Sequence, residues 1–195
     1  HKTYLYPTSE ASPYEIQETT NEIVWGQLQV LSELQTIQKN HNIAIVSTER
    51  CLQPHLPPKQ HFNSFCINLQ KGIGIDIDKL SHKLTKSGYK RENTVEQEGD
   101  WARRGDIIDI FPVNSELPIR IELFGDELDK IREFDPISQR SLDQIDKICI
   151  TPTSFNPLIV DRLKENTPDN IEHLINDSSL EQLINGEIPK GLKRL

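Results

Sequence analysis

A series of short β-strand signals, separated by turn residues, constrains the fold of this chain more than any other feature of its sequence. The β-branched or aromatic runs occupy residues 107–111, 119–124, 128–134 and 145–150. Pro112 and the polar residues 114–116 form a turn signal after the first run, and Gly125-Asp126 joins the second run to the third as a predicted hairpin. Short strands joined by tight turns predict a small, mostly antiparallel β domain.

A short helix is predicted in front of these strands. Asp76 is placed to cap it, because its carboxylate can accept hydrogen bonds from the free N–H groups of the first turn. Gly88 is placed to close its C-terminus. The apolar positions inside the helix are Ile77, Leu80 and Leu84. The Lys-Gly-Ile-Gly stretch at residues 71–74 indicates a boundary, so we predict an α+β domain over residues 73–155.

The first part of the chain has the pattern strand, amphipathic helix, apolar strand. Residues 3–6 form a predicted strand that Pro7 ends, and Thr19 with Glu22 has the spacing of a helix capping box. The apolar stripe of this helix comprises Ile23, Val24, Leu28, Leu31, Leu34 and Ile37. The continuous apolar run at residues 43–46 suits a strand covered on both faces of a parallel sheet. Residues 1–72 are therefore predicted to be part of an α/β domain.

Residues 156–195 are polar and give weaker signals. Two short helices are predicted there, at residues 171–175 and 180–184. We interpret this stretch as a return or linker segment.

The charge balance does not favour a nucleic-acid-binding module. The chain has 22 basic and 30 acidic residues, a net charge of −8, and no third of it is net positive. Phosphate backbones are bound by clustered Lys and Arg, whereas the short basic pairs at residues 90–91 and 103–104 have four acidic residues between them. No apolar run approaches the length of a membrane span. The three cysteines form no CxxC pair, which suits reduced thiols in the cytoplasm.

The sequence offers no convincing catalytic motif. It contains no phosphate-binding Gly-x-x-x-x-Gly-Lys-Ser/Thr loop and no Gly-x-Ser-x-Gly elbow, and the Gly-x-Gly at residues 72–74 is better interpreted as a linker. The carboxylates at positions 126, 127, 129 and 133 suit a solvated strand face better than a metal site, and no HExxH pair occurs. Cys51 and His55 are interpreted as a buried thiol and a surface histidine. We predict that this chain is not itself an enzyme and holds no cofactor or metal.

The strand at residues 119–124 carries the most informative side chains. Side chains alternate between the faces of a strand, so Ile119, Ile121 and Leu123 share the core face. Arg120 and Phe124 then lie on the opposite, wetter face. Exposing a phenylalanine gives up about 1.5–3 kcal/mol of burial, and arginine with an aromatic is typical of binding hot spots. In the alternative interpretation, a loop covers Phe124, and Arg120 merely pairs with Glu122 or Glu127.

Three sequence blocks, in order, resemble the UvrB-homology module shared by bacterial UvrB and the transcription-repair coupling factors. The blocks are WARRGDIIDIFP at residues 101–112, PIRIELFGDE at residues 118–127, and IREFDP at residues 131–136 followed by QRS. The last block is more similar to the coupling factors than to UvrB. Looser similarity extends over residues 6–15 and 46–58. Asp106 stands where many members have glycine, which concerns only the local turn.

The resemblance implies a protein-docking function. In this family the small β domain binds UvrA, and the contacting positions correspond here to Arg104, Arg120 and Phe124. The first domain would resemble a helicase domain that has lost its phosphate loop. The chain would then be an N-terminal fragment of a longer ATP-dependent DNA translocase, which uses ATP and Mg²⁺ and contacts RNA polymerase and DNA through other domains. Its role would be to recruit nucleotide excision repair to RNA polymerase stalled at DNA damage.

Two alternatives stay open at this point. In the first alternative the chain is a fragment of a UvrB-type excision-repair helicase, and in the second it is a nucleic-acid-binding module. ATP turnover by the chain would favour the first, and DNA binding that weakens steeply with salt would favour the second.

Overall fold

The computed structural model describes residues 2–8, 21–36, 42–49 and 56–166 of the 195-residue chain. The chain divides into two compact units. The first unit comprises residues 1–62 and 154–195, and the second unit comprises residues 63–153. Each unit is described by itself below.

The first unit contains the predicted strand–helix–strand arrangement. Strand β1 (Lys2–Leu5) pairs in parallel with β2 (Ile43–Val46), and helix α1 (Asn21–Thr36) connects them. The Tyr4 hydroxyl donates a 2.8 Å hydrogen bond to Glu33 Oε2 on α1. Parallel pairing requires a crossover connection, which α1 supplies, so the βαβ prediction is confirmed.

One expectation for this unit is wrong. Strand β2 was predicted to be covered on both faces, but all four of its residues are exposed, and Val46 has 54% of its surface accessible. The reason is the size of the sheet, because β2 has β1 as its one partner strand in the described part of the chain. Such a narrow sheet cannot cover its own apolar side chains.

Several sequence predictions for the first unit and its flanks fall on residues that the structure does not describe. They concern the capping residue Thr19, the pair Cys51 and His55, and the helices at residues 171–175 and 180–184. Two helices were not predicted. Helix α2 (Lys59–Phe65) follows the prolines at positions 57 and 58, and helix α4 (Asn156–Asn166) begins the polar C-terminal stretch.

The second unit is built on a six-stranded sheet whose strands follow one another in chain order. The strands are β4 (Lys90–Arg91), β5 (Asp100–Arg104), β6 (Ile107–Ile110), β7 (Ile119–Phe124), β8 (Glu127–Phe134) and β9 (Ser141–Ile145). Neighbours pair antiparallel except β4 and β5, which are parallel. Together with helix α3 (Ile77–Lys86), this arrangement confirms a small, mostly antiparallel α+β domain with a leading helix.

A separate antiparallel pair, β3 (Ile67–Gln70) with β10 (Lys147–Ile150), completes the second unit. The boundary was predicted at residues 71–74, yet β3, which precedes it, pairs with β10 and lies in the second unit. Residues 145–150 were predicted as a single strand, and this is wrong. The backbone bends at Asp146, so Ile145 ends β9 while β10 belongs to the other sheet.

The predicted leading helix is confirmed in detail. The Asp76 carboxylate accepts hydrogen bonds from the backbone N–H groups of Asp78 and Lys79, which holds the pKa of Asp76 below its usual value. Leu80 and Leu84 are buried. They join a core with side chains from both sheets, namely Ile67, Leu69, Trp101, Ile108, Ile110, Ile119, Ile121, Leu128, Ile131 and Ile150.

A β-bulge interrupts the alternation on β8. Glu122 pairs with Lys130, but the next residue, Leu123, pairs with Leu128, so Asp129 is an extra residue on β8. The bulge explains why Leu128 and Ile131, three positions apart, both lie in the core. It leaves the alternation along β7 intact.

Candidate protein-interaction surface

The face of β7 opposite the core carries the residues that the sequence singled out. Ile119 and Ile121 are fully buried on the core face. Arg120 lies on the other face, directly opposite Asp109 on β6 and Arg132 on β8. Two positions further along that face, Glu122 lies opposite Ile107 and Lys130. Phe124 ends the strand.

Phe124 is the most open apolar group on β7. It is 83% exposed and pairs with Glu127 across the β7–β8 hairpin. The alternative in which a loop covers Phe124 is therefore wrong. Gly125 follows with a φ of +60° and makes the tight turn possible, so the ring is presented from a strand end rather than from a long loop.

Arg120 is held much more tightly than Phe124. Its Nε donates to Asp109 Oδ1 at 2.7 Å and its Nη2 to Asp109 Oδ2 at 2.9 Å. Its side chain is 18% exposed, and Asp109 is buried. The alternative pairing of Arg120 with Glu122 or Glu127 is wrong. The hydrogen bond to Asp109 raises the pKa of Arg120, so the guanidinium keeps its positive charge.

A small apolar cluster closes one end of this face. Its members are Val95, Ala102, Phe111 and Phe134. The Phe134 ring centroid lies 4.8 Å from the Arg120 guanidinium, a cation–π distance. Gln139, in the connection between β8 and β9, hydrogen-bonds to a member of this cluster. Its Nε2 donates to the backbone oxygens of Val95 and Pro136 at 3.1 and 2.7 Å. The open part of the face is consequently the hairpin end, where Phe124 lies.

Arg104 lies at the same hairpin end of the sheet. It ends β5 opposite Ile107, which in turn lies opposite Glu122 on β7. Its Nη2 donates to the backbone oxygen of Asn93 at 3.0 Å, and the side chain is exposed. Arg104, Ile107 and Glu122 thus form a cross-strand row beside Phe124. We call Arg104, Ile107, Arg120, Glu122 and Phe124 the hairpin-end surface.

The departure from the family pattern at Asp106 has a simple structural outcome. The β5–β6 turn consists of Gly105 and Asp106, and Gly105 supplies the left-handed conformation with a φ of +63°. Among the described non-glycine residues, Gln139 is the one with a positive φ. Asp106 therefore adopts ordinary backbone angles, and the turn does not need a glycine at that position.

Sequence reasoning missed Asp109 as a member of this surface. The available signal was its position, since a lone carboxylate stands inside the apolar run Ile-Ile-Asp-Ile-Phe of a predicted strand. A carboxylate buried in a strand requires a cation or several hydrogen-bond donors. Its partner was not readable, because β6 and β7 are joined by an eight-residue connection that leaves their register open.

The residue types of the hairpin-end surface are typical of protein-binding surfaces. It combines an exposed aromatic ring, a partly exposed isoleucine and charges of both signs. In the part of the chain that the structure describes, no group of three or more His, Cys, Asp or Glu side chains is arranged to hold a metal ion. Within the same residues, no helix is long and apolar enough to cross a bilayer. An exposed aromatic anchor beside an arginine fits a protein partner.

Comparisons with known proteins agree with this interpretation. The sequence profile of the UvrB interaction domain matches residues 67–155. A transcription-repair-coupling factor of Haemophilus influenzae is 35% identical over 153 residues, which are 78% of this chain and 13% of that protein. One from Staphylococcus aureus strain MRSA252 is 36% identical over 165 residues, or 83% and 14%. One from Escherichia coli K12 is 32% identical over 148 residues, or 76% and 13%. The chain spans only 13 to 14% of the length of these curated relatives.

Proposed function

The chain belongs to the transcription-repair-coupling factor (Mfd) family, and from this premise we propose that its second unit docks on the excision-repair protein UvrA. The observation that carries the proposal is Phe124, an 83% exposed ring at the end of a strand whose other residues are buried or half-buried. The match of residues 67–155 to the UvrB interaction domain supports it, because the hairpin-end surface lies entirely within that segment.

The three proposed contact residues have different roles in this docking. Phe124 fills an apolar pocket of UvrA, since burying its ring recovers the hydrophobic free energy that exposure sacrifices. Arg104, which hydrogen-bonds a carbonyl oxygen of its own chain, meets a carboxylate or carbonyl of the partner. Arg120 contacts the partner with the N–H groups of its guanidinium that do not donate to Asp109.

The role of the longer protein follows from the family. We propose that it recruits nucleotide excision repair to RNA polymerase stalled at DNA damage, in the bacterial cytoplasm. ATP-dependent movement along DNA, with Mg²⁺, and the contacts to polymerase and DNA are assigned to other parts of that protein. The chain itself contains no phosphate-binding Gly-x-x-x-x-Gly-Lys-Ser/Thr loop, which supports a non-catalytic docking role for it.

Binding of purified UvrA to variants of the chain tests this function. Phe124→Ala is expected to weaken the affinity about thirtyfold, because removing an anchor residue typically costs about 2 kcal/mol. Arg104→Ala is expected to weaken it less. Ile137→Ala is the matched control, since Ile137 is apolar and 92% exposed but lies outside the hairpin-end surface. Biolayer interferometry measures the dissociation constants.

Arg120→Ala needs a stability measurement beside the binding assay. The substitution removes the counter-charge of Asp109, which is only 3% exposed, and an unpaired buried charge costs about 3 kcal/mol or more. Urea unfolding therefore separates misfolding of this variant from loss of contact. If Arg104→Ala, Arg120→Ala and Phe124→Ala all bind UvrA as the unsubstituted chain does, the proposed function is rejected.

A further inference from the structure

We propose that Asp109 is a positioning residue of the hairpin-end surface, acting on the partner through Arg120. This inference rests on the proposed function and adds a residue to it. Asp109 is buried and does not face the partner. Its effect on docking is to fix the direction in which the Arg120 guanidinium presents its remaining donors.

The hydrogen bonds of Arg120 leave a defined part of the guanidinium available. Three of its five N–H groups donate hydrogen bonds within the chain. One on Nε and one on Nη2 donate to the Asp109 carboxylate at 2.7 and 2.9 Å, and one on Nη1 donates to the backbone oxygen of Gln139 at 3.4 Å. Nη1 and Nη2 each carry a second N–H group. The two remaining donors have no hydrogen-bond partner among the described residues, and the side chain is 18% exposed. They are placed to meet one acceptor of a partner.

The neighbours of Arg120 explain why Asp109 is needed for this arrangement. Arg132 lies directly opposite Arg120 on β8, and like charges at such a cross-strand position repel one another. Arg132 has its own counter-charge, because its Nη1 lies 3.6 Å from Glu122 Oε1. The counter-charge of Arg120 is Asp109. Without the charge of Asp109, repulsion from Arg132 and solvation both favour a guanidinium that turns away from the sheet.

The position of Asp109 makes it a rigid support. It lies on β6 between β5 and β7, with Ala102 opposite it on one side and Arg120 on the other. The buried Phe134 ring supports the guanidinium at 4.8 Å. A side chain held in its binding geometry loses less conformational freedom when the complex forms, so a fixed Arg120 binds more tightly than a mobile one.

The variant Asp109→Asn tests this role. The amide keeps one oxygen acceptor but places an NH₂ group against an arginine donor, so the two-oxygen grip is lost while the volume is preserved. We expect the affinity of the folded chain for UvrA to fall about fivefold. The control is Ile121→Val, which destabilises the core face of β7 without touching the hairpin-end surface. Circular dichroism at the assay temperature gives the folded fraction by which each dissociation constant is corrected.

A double-mutant cycle distinguishes positioning from general structural support. If Asp109 acts through Arg120, Asp109→Asn has no further effect on affinity in an Arg120→Gln background. An equal loss of affinity in both backgrounds overturns the proposal. So does a corrected affinity of Asp109→Asn that equals that of Ile121→Val.

Including Phe124→Ala in the same series keeps the two proposals separable. A large loss for Phe124→Ala with none for Asp109→Asn overturns the role of Asp109 and leaves the docking function standing. Unchanged affinity in both variants, together with unchanged affinity in Arg104→Ala and Arg120→Ala, overturns the docking function, and the role of Asp109 with it.

Discussion

Tyr89 illustrates how single buried polar groups fix the second unit. Its ring is 2% exposed, and its hydroxyl donates to the backbone oxygen of Thr151 at 2.9 Å. The same hydroxyl accepts a 3.4 Å hydrogen bond from the backbone N–H of Val113. One side chain therefore satisfies two backbone groups from distant parts of the chain, and both would be left unpaired without it.

Burial raises the pKa of Tyr89 above its usual value of 10.0. The unfolded chain therefore releases this proton first as the pH rises, and the contribution of Tyr89 to the free energy of unfolding is constant below about pH 10 and falls above it. Tyr89→Phe is expected to lower stability at pH 8 by about 1 kcal/mol and to remove this part of the alkaline loss.

Urea unfolding between pH 8 and pH 11, followed by circular dichroism, measures this effect as the difference between the two proteins. Because lysines and other tyrosines titrate in both, they largely cancel. A difference that stays constant up to pH 11 would contradict the prediction.

At the scale of elements, two hairpin turns of the same sequence determine which residues of the hairpin-end surface lie at the edge of the sheet. The β5–β6 and β7–β8 turns are both Gly-Asp, with φ values of +63° at Gly105 and +60° at Gly125. Arg104 and Phe124 are the last residues before these turns. Short turns of this kind set the strand register, and so they set which side chains reach the edge of the sheet.

Gly105→Ala and Gly125→Ala are each expected to lower the free energy of unfolding by about 1 kcal/mol, because an L-residue resists a positive φ. No heavy atom lies within 4 Å of the Cβ that either substitution adds, so the cost is conformational and not steric. Gly74→Ala is the control, since its new Cβ would lie 3.8 Å from Asp126 O and its φ is not positive. Urea denaturation compares the three. A Gly74→Ala loss as large as the other two would rule out the conformational explanation.

Turn residues and alternation predict much of the second unit, and the failures have identifiable causes. Helix α3 and strands β6 to β8 follow from caps, glycines and apolar periods. Strands β5 (DWARR) and β9 (SLDQI) show neither a continuous apolar run nor a regular alternation, so their backbone pairing with neighbours, rather than their own pattern, makes them strands. The bulge at Asp129 adds one residue that no local signal reveals. Asp109 and Arg120 meet because of a register that sequence leaves undetermined.

For the hairpin-end surface, too, one part could be predicted from the local sequence pattern and another part depends on tertiary structure. The exposure of Phe124 follows from alternation along one strand, which is local information. The confinement of Arg120 depends on Asp109, Phe134 and Gln139, which are brought to it by three separate connections. Local pattern thus predicts which face a side chain occupies, and tertiary structure decides how free it is.

At the scale of the whole molecule, the second unit contains every part of the proposed docking site. Residues 63–153 include the six-stranded sheet, the β3–β10 pair, helix α3 and the main core. A unit with its own core is expected to fold alone. The chain's net charge of −8 also disfavours a contribution from nonspecific binding to nucleic acid.

A fragment comprising residues 63–153 is therefore expected to unfold cooperatively in urea and to bind UvrA within about twofold of the affinity of the whole chain. Circular dichroism and interferometry check the two statements. A fragment that folds cooperatively but fails to bind, while the whole chain binds, would show that the first unit supplies part of the docking surface.

The location of Phe124 on a strand flanked by two neighbours limits how this surface can evolve. Inserting or deleting one residue between Arg120 and Phe124 would turn the ring to the isoleucine side of the sheet. A substitution of Phe124 leaves the direction of its side chain unchanged, whereas this stretch keeps that direction only if it is lengthened in steps of two. The identity of the side chain at position 124 can therefore change by single substitutions, whereas its distance along the strand from Arg120 cannot change by one residue. A partner that co-evolves with this surface adapts to a new side chain at a fixed position.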